Sequence, residues 1–339
     1  MTSCVFSVAM MLLRTQQSRA APWFTAQEGT VSARYRVIEN SAGVRTTDQL
    51  QDKLTFRGRL DPWRTDRLTV DVGAFSGASF TSSWNNTGLG TGAPAFALSV
   101  KQLFVSARPW AILEAQVGSL YAVRGETTEI TNYDNDVYLT GERLVVRDPR
   151  RLFVDSITVT RAFLGDFSTP NAFRRLDRLA EANFAQVLVE KTLAPDAVVS
   201  VEWSQPPEGE TIRSGVRLPL PRVRTAVRFE TYWRVPDHAG GVGLTVDHPI
   251  GHHAEVGGGF SSIDRLFPPI NGDRYANGHR VFAQASFSLT RTLSASVFFT
   301  QAFSTPYALN TARRFDALVT YNVLRAVTDA LRGQSSTVR

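Results

Sequence analysis

The sequence contains a single cysteine, Cys4, so neither a disulfide framework nor a thiolate metal site can form. It also lacks a long apolar run, because the longest, Val5–Leu13, is too short to cross a bilayer as a helix. If the protein enters a membrane, its backbone must therefore be satisfied in a closed β-barrel. The length of 339 residues leaves two soluble domains and one large barrel equally open.

Signatures of catalysis and of cofactor binding are missing too. No histidine sits in a metal-binding spacing, and the adjacent rings of His252 and His253 would point to opposite faces of a strand. No serine lies in a nucleophile elbow, and no glycine-rich phosphate loop opens a helix. We therefore predict no catalytic residues, no metal site, no cofactor and no enzymatic activity.

Charge is modest and dispersed. Lysine and arginine number 37 against 31 aspartate and glutamate residues, a net charge of +6. Because the basic residues are spread along the chain instead of forming one helix or patch, we do not predict nucleic acid as a partner.

The first residues resemble an atypical signal peptide. Val5–Leu13 would be the apolar region, and small residues near Ala20 suit cleavage, although a positive region before the apolar stretch is missing. The predicted organisation is a signal peptide over 1–21, a lead-in over 22–29, a barrel over 30–325 and a tail over 326–339.

Short turns alternate with longer polar connections along the chain. The short turns, all but the last marked by proline, are 61–63, 108–110, 148–150, 194–196, 219–221, 248–250 and 290–292. The connections on the other side are 40–48, 76–95, 122–136, 165–182, 263–279 and 304–312, with briefer ones at 205–209 and 235–240. Tight turns on one side and extended loops on the other are typical of a transmembrane barrel.

Sixteen runs between these connections alternate apolar and polar residues. The clearest sets Val227 and Phe229 against Arg228 and Glu230, whereas the alternation slips near Gln102, which indicates a bulge. Two runs, 137–146 and 152–163, are less regular. The residues expected outside are Val227, Phe229, Val281, Ala283, Phe287, Val297 and Val319, and those expected inside are Arg228, Glu230, Gln284 and Ser296.

The predicted fold class is all-β: a single antiparallel transmembrane β-barrel of about 16 strands, within a range of about 14 to 18, with short periplasmic turns and long extracellular loops. A soluble sandwich or β-solenoid is the alternative, since its strands also alternate. Charged residues at mid-strand positions of the polar face, and short turns at every second connection, favour the barrel.

Over residues 30–325 the chain resembles bacterial outer-membrane barrels of the porin type. The segment AFSGASFTSSWNNTGLGTG, Ala74–Gly92, followed by LSVKQLFVSA, Leu98–Ala107, is similar to the loop-then-strand pattern of porin-like and alginate-export-like proteins. The resemblance implies an outer-membrane location and contact with outer-membrane lipid, and it leaves a monomer and a homotrimer open as the assembly. Such barrels usually end on an aromatic residue, whereas this sequence ends in Val338-Arg339, so an insertion signal would have to be read internally at Phe315–Val323.

A barrel of this size encloses a water-filled lumen, whose side chains set selectivity. The first two strands place five basic residues on one face: Arg34, Arg36, Lys53, Arg57 and Arg59. The loop at 122–136 carries four acids: Glu126, Glu129, Asp134 and Asp136. In general porins the third loop folds inward and its acids face arginines, so the resemblance implies a transverse field. A solvated surface loop is the alternative.

The predicted function is an outer-membrane channel for passive diffusion or export of small polar or acidic solutes through an arginine-lined lumen. The alternative is a non-conducting structural or surface-interaction barrel whose loops plug the lumen. A helix predicted from Pro170 to Leu179 would be either such a plug or an outer loop helix.

Overall fold

The computed structural model describes residues 22–79, 82–134, 136–148, 153–165, 168–193, 196–264, 274–275, 277–304 and 309–336. The predicted signal peptide over 1–21, with Cys4, lies outside the described residues. No helix in the described ranges is long and apolar enough to cross a bilayer.

Antiparallel sheet is the main structure of the described chain. Its strands are β1 (Phe24–Glu39), β2 (Arg45–Leu60), β3 (Leu68–Ser76), β4 (Asn85–Gly90), β5 (Leu98–Trp110), β6 (Leu113–Tyr121), β7 (Tyr138–Arg147), β8 (Ser156–Phe163), β9 (Phe184–Leu193), β10 (Ala197–Gln205), β11 (Thr211–Leu220), β12 (Thr225–Arg234), β13 (Ala239–Ile250), β14 (Ala254–Ile263), β15 (Gly278–Ser288), β16 (Leu293–Ser304) and β17 (Arg313–Asn322). Helical segments cover Ala172–Arg175, Leu176–Arg178, Pro221–Val223 and Val323–Ser336.

The sheet closes on itself because β1 pairs with both β2 and β17. Two strands share one position in the barrel: β3 pairs with Thr55–Leu60 of β2, and β4 pairs with its Gln49–Asp52 segment. β4 therefore continues β3 beyond an insertion at 77–84. Counted this way, the seventeen strands fill sixteen barrel positions, which confirms the predicted fold.

The bulge predicted near Gln102 is present. The register between β3 and β5 shifts where Gly73 faces Gln102 and Ala74 faces Val100, which leaves Lys101 as the extra residue. The Lys101 ammonium donates hydrogen bonds to the carbonyl oxygens of Ser79 (2.8 Å) and Ser82 (2.6 Å). The bulge thus ties the insertion to the barrel.

Both ends of the barrel lie at the short-turn side. The backbone N–H of Asp61, in one short turn, donates to the oxygen of Trp23, and the N–H of Asn322 donates to Thr292 in another. Two predicted boundaries are wrong. β1 begins at Phe24, so most of the predicted lead-in is strand, and β17 ends at Asn322, where a helix replaces the last predicted barrel residues.

Several prolines predicted to form turns lie instead in the last residues of strands. Pro219 extends beyond the pairing of β10 with β11, which ends at Arg217, and Pro249 extends beyond the pairing of β12 with β13, which ends at Asp247. Each of these prolines thus lies at a strand end that has a hydrogen-bonded neighbouring strand on one side only. Proline has no backbone N–H to donate, and this is tolerated where no neighbouring strand needs it.

The two faces of the sheet follow the predicted alternation. On the outer face Phe229, Val281 and Val319 are close to half exposed, whereas Glu230 on the inner face is fully buried. The outer face is therefore apolar along most strands, as contact with lipid requires, and the inner face is polar.

Substituting Leu244 with arginine tests the outer-face assignment. Leu244 lies mid-strand on β13, between Phe229 and Phe260, and is farther from the short turns than Val227. We expect Leu244→Arg to lower the free energy of unfolding in lipid by about 2–4 kcal/mol, the typical cost of arginine at the bilayer midplane. This free energy is measured by unfolding the protein in urea and following the difference in gel mobility between the folded barrel and the unfolded chain.

The matched control is Gln284→Arg, because Gln284 faces the lumen and donates to Asp247, which can accept from the new guanidinium. An equal loss of stability in both variants would show that the faces are assigned incorrectly.

Candidate functional site in the barrel lumen

The loop between β6 and β7 lies inside the barrel along the inner wall. Its backbone N–H at Glu126 donates to Ser200 Oγ on β10 (2.8 Å), and Asn132 Nδ2 donates to Glu202 Oε2 (2.8 Å). On β12, Glu230 accepts from the N–H of Thr128 (2.8 Å) and from its hydroxyl (2.6 Å). This segment, 122–137, is called the inner loop below.

Glycines on the wall make room for the inner loop. A Cβ on Gly215 of β11 would lie 2.6 Å from the carbonyl carbon of Glu126, and one on Gly243 of β13 would lie 2.8 Å from Ile130 Cγ2. Real side-chain carbons do not approach that closely, so the loop sits where these strands carry no side chain. In the sequence, a glycine at an inward-facing position of an alternating strand is the signal for this close approach of a loop to the wall.

A buried ion pair holds the centre of the inner loop. Arg213 Nη1 lies 2.9 Å from Glu202 Oε1, and both side chains are 1% exposed. Arg213 Nε also donates to the carbonyl oxygen of Thr131 at 2.9 Å. The guanidinium lies over the rings of Tyr133 and Tyr232, and burial raises the pKa of the Tyr133 hydroxyl well above its ordinary value. That phenol therefore stays neutral and adds no charge to the lumen.

An aromatic cluster packs against the tip of the loop. Ile130 belongs to a buried group with Tyr275, Phe282 and Phe298. The ring centroid of Tyr275 lies 5.0 Å from that of Phe282 and 5.5 Å from that of Phe298. Burial raises the pKa of Tyr275 to about 12. Since Tyr275 comes from the connection between β14 and β15, a second loop also reaches the inner wall.

The acids predicted in the inner loop face different partners. Glu126 Oε2 lies 3.1 Å from Arg217 and 3.7 Å from Arg228, on β11 and β12. Glu129 pairs with Arg274 of the second loop at 3.7 Å. Glu126 therefore faces β11 and β12, whereas Glu129 faces the second loop, so neither of these ion pairs involves the first two strands.

The end of the inner loop reaches one of the predicted basic residues. Asp136 Oδ1 lies 3.4 Å from Lys53 Nζ on β2. The Asp134 carboxylate accepts a hydrogen bond from the backbone N–H of Asp136 at 3.0 Å. The ion pair of Lys53 and Asp136 thus connects the loop to the wall formed by β1 and β2.

The other predicted basic residues share the inner face, and each contacts a partner on the wall. The Arg34 guanidinium lies 3.8 Å from the ring centroid of Trp84, and its Nε donates to Gln51 at 2.9 Å. Arg36 pairs with Asp316 at 3.0 Å, Arg57 with Glu28 at 3.5 Å, and Arg59 with Asp71 at 2.9 Å. The wall therefore consists of ion pairs as well as positive charge.

A cavity of about 860 Å³ lies between the inner loop and the barrel wall, and it is lined by residues of β1, β2, β3, β8, β9, β12 and β17. Its charged lining consists of Lys53, Arg57, Arg124, Arg228, Glu28, Asp136 and Glu190, and its aromatic lining of Phe75, Trp84 and Tyr121. Among the described residues, the structure thus brings the predicted Lys53, Arg57 and Asp136 together around the cavity. It places Arg34, Arg36, Arg59, Glu126, Glu129 and Asp134 elsewhere on the wall or loop.

Several lining residues were not predicted as site residues. Glu28 was assigned to the lead-in, although it alternates in phase with Thr30 and Ser32. Trp84 and Arg124 lie in connections, where no alternating pattern indicates whether a side chain faces the lumen. Arg228 was predicted to face inward, and its inward parity was the available signal.

The inner surface shows no grouping suited to a metal. In the described ranges no three histidine, cysteine, aspartate or glutamate side chains are close enough to hold an ion.

Comparisons with known proteins relate this geometry to porins. No protein-family model matches the sequence, and no curated protein matches it. Solved structures do match: Salmonella typhi OmpF in complex with daunomycin superposes with a TM-score of 0.57 at 11% identity, covering 88% of this chain and 97% of that one. A mutant of the Rh. blastica porin gives 0.55 at 9% identity, covering 88% and 99%.

An engineered protein studied for asymmetric conductivity gives a TM-score of 0.58 at 10% identity, covering 88% of this chain and 99% of its own. The chain has the porin fold. The resemblance predicted from the sequence is thus confirmed at the level of the fold.

Substituting Gly215 with valine tests how the inner loop is held. The new side chain would occupy the position of the Glu126 carbonyl, so we expect the loop to leave the wall of β11 and β12. Tryptic cleavage after Arg124 in the folded barrel should then rise several-fold. Ser214→Val is the control, because Ser214 occupies the outer face next to Gly215. Equal cleavage in the two variants would contradict the proposed support of the loop.

Proposed function

We propose that the protein is a channel of the bacterial outer membrane through which small polar or acidic solutes diffuse. One observation supports this proposal above the others: a charged cavity remains between the inner loop and the wall of the barrel. The polar, hydrogen-bonded inner face and the apolar outer face suit a barrel with water inside and lipid outside. Outer-membrane lipid and a small solute are the partners that follow.

Selectivity would arise from the charges that line the cavity. Four basic residues face it, Lys53, Arg57, Arg124 and Arg228, against the three acids Glu28, Asp136 and Glu190. A small positive excess next to a low-dielectric wall attracts anions. Because most of these charges lie beside an opposite one, we propose a weak preference for anions and not strict selection.

A non-conducting barrel is the second candidate function. The observation in its favour is that Arg274 and Tyr275 of the second loop also pack on the inner wall, where Arg274 lies 4.2 Å from the ring centroid of Phe298. Two loops then narrow the lumen. Single-channel recording in planar bilayers separates the candidates, because a plugged barrel carries no current.

Reversal potentials in a salt gradient test the proposed selectivity. The unmodified protein should prefer anions weakly, and Arg57→Glu combined with Arg228→Glu should convert this to a preference for cations, because both side chains line the cavity. Arg59→Glu is the control, since Arg59 pairs with Asp71 outside that lining. A cation preference in the unmodified protein, or an unchanged preference in the double variant, would overturn the mechanism.

A further inference from the structure

One ion pair lies on the outer face of the barrel. Glu142 of β7 and Arg161 of β8 are direct cross-strand partners, and Arg161 Nη1 lies 3.2 Å from Glu142 Oε1. Their side chains are 58% and 60% exposed, respectively. They alternate in phase with the exposed Leu144 and Val159, which form the next cross-strand pair, whereas the intervening Arg143 is buried. Both charges therefore point away from the lumen.

The pair lies deep within the band where other strands are apolar. Glu142 precedes the end of β7 at Arg147 by five positions (147 − 142). At about 3.3 Å per residue and a tilt of about 40°, this places it about 13 Å above the short-turn end, near the middle of an apolar band about 25 Å tall. At similar distances from that end, β10, β11 and β12 carry Val201, Val216 and Phe229 on their outer faces.

On the side of the pair away from the short turns, the next residues of β6 and β7 are covered by protein and not by lipid. Ser119 and Thr140 are cross-strand partners with the same outward parity as Val117 and Glu142, yet both are fully buried. The connection between β8 and β9 supplies the cover, since Arg175 donates to Ser119 Oγ at 3.3 Å.

The same connection continues over β8. The guanidinium of Arg178 lies 5.3 Å from the ring centroid of Phe163, which shares the outward parity of Val159 and Arg161. The segment is thus an outer loop helix and not a plug, and the Asn171 side chain caps it by accepting a hydrogen bond from the N–H of Phe173. The connection therefore lies over the upper ends of β6 and β8.

We propose that this face, centred on Glu142 and Arg161, binds a second copy of the chain through a two-fold contact. Two barrels inserted in the same direction can be related by a two-fold axis along the membrane normal, and such a contact brings one patch against itself. Because Glu142 and Arg161 lie side by side, that rotation sets Glu142 of one copy opposite Arg161 of the other. Four alternating charges then meet, removed from lipid.

The charge of the patch favours a copy over an anionic lipid headgroup. A phosphate would need a net positive site, whereas Glu142 and Arg161 cancel, and the depth of the pair is below the headgroup region. The inference depends on the membrane placement proposed above but not on conduction. A homotrimer, one of the two assemblies that the sequence leaves open, would have to use another face, because three copies cannot all share one two-fold contact.

Charge reversal in two separate chains gives a sharp test. Glu142→Arg makes the patch wholly positive, and Arg161→Glu makes it wholly negative, so each variant alone should dissociate at least about tenfold more readily than the unmodified protein. Mixed together, the two variants should form heterodimers, because each reversed residue then faces an opposite charge. Native mass spectrometry from mild detergent resolves the species when one variant carries a mass tag.

A neutral variant and a matched control keep the test independent of folding. Glu142→Leu with Arg161→Leu should yield folded monomers, shown by heat-modifiable mobility, since an apolar face suits lipid. The control reverses Glu39 and Arg313, a cross-strand pair at the extracellular end of β1 and β17, separated by 2.9 Å. The double variant Glu39→Arg with Arg313→Glu should leave the dimer intact.

Crosslinking locates the contact. The substitution Leu144→Cys, next to the proposed axis, should allow a disulfide to form between copies in membranes. Monomeric unmodified protein, a trimer in which the Leu144→Cys variant forms no crosslink, or failure of the mixed variants to associate would each overturn the proposal.

Discussion

The fold depends on the closure of its sheet by β1 and β17. Their register joins Thr30–Glu39 to Asn322–Arg313, so the first and last strands leave no long edge unpaired. In a bilayer no water satisfies an open edge, which makes closure the condition for every other feature. Because closure occurs with sixteen barrel positions, the enclosed space exceeds what wall side chains can fill, and the inner loop can enter it.

Polar contacts take the role inside this barrel that apolar packing takes in a soluble core. Arg213, Glu202 and Glu230 are almost wholly buried, and each bonds to the inner loop. Removing one partner of the Arg213–Glu202 pair would leave a buried charge without compensation, which commonly costs about 3–5 kcal/mol. The loop is thus held by interactions whose partial loss is expensive, while the glycines opposite it permit the close approach.

The alternation of apolar and polar residues predicted the strands, their faces and the bulge at Lys101, because every second side chain of a strand faces lipid and must be apolar. It could not predict ion-pair partners. Arg34, Arg57 and Arg59 do share the inner face, but their partners Gln51, Glu28 and Asp71 depend on register and tilt. The connections were hardest to predict. No periodicity marks Trp84 or β4, and β4 takes its place by pairing with β2 after an insertion that Lys101 holds at Ser79 and Ser82.

The weakest alternation in the sequence has a structural cause. The runs 137–146 and 152–163 are irregular because β7 and β8 place Glu142 and Arg161 on the outer face, and because polar Ser119 and Thr140 continue that surface on β6 and β7. An alternating strand records contact with lipid on one side and water on the other. Where the outer partner is protein, charged and hydroxyl side chains are tolerated if they are paired, so the rule fails locally. Loss of alternation in neighbouring strands of an otherwise regular barrel is thus itself a sequence signal for a protein-covered face.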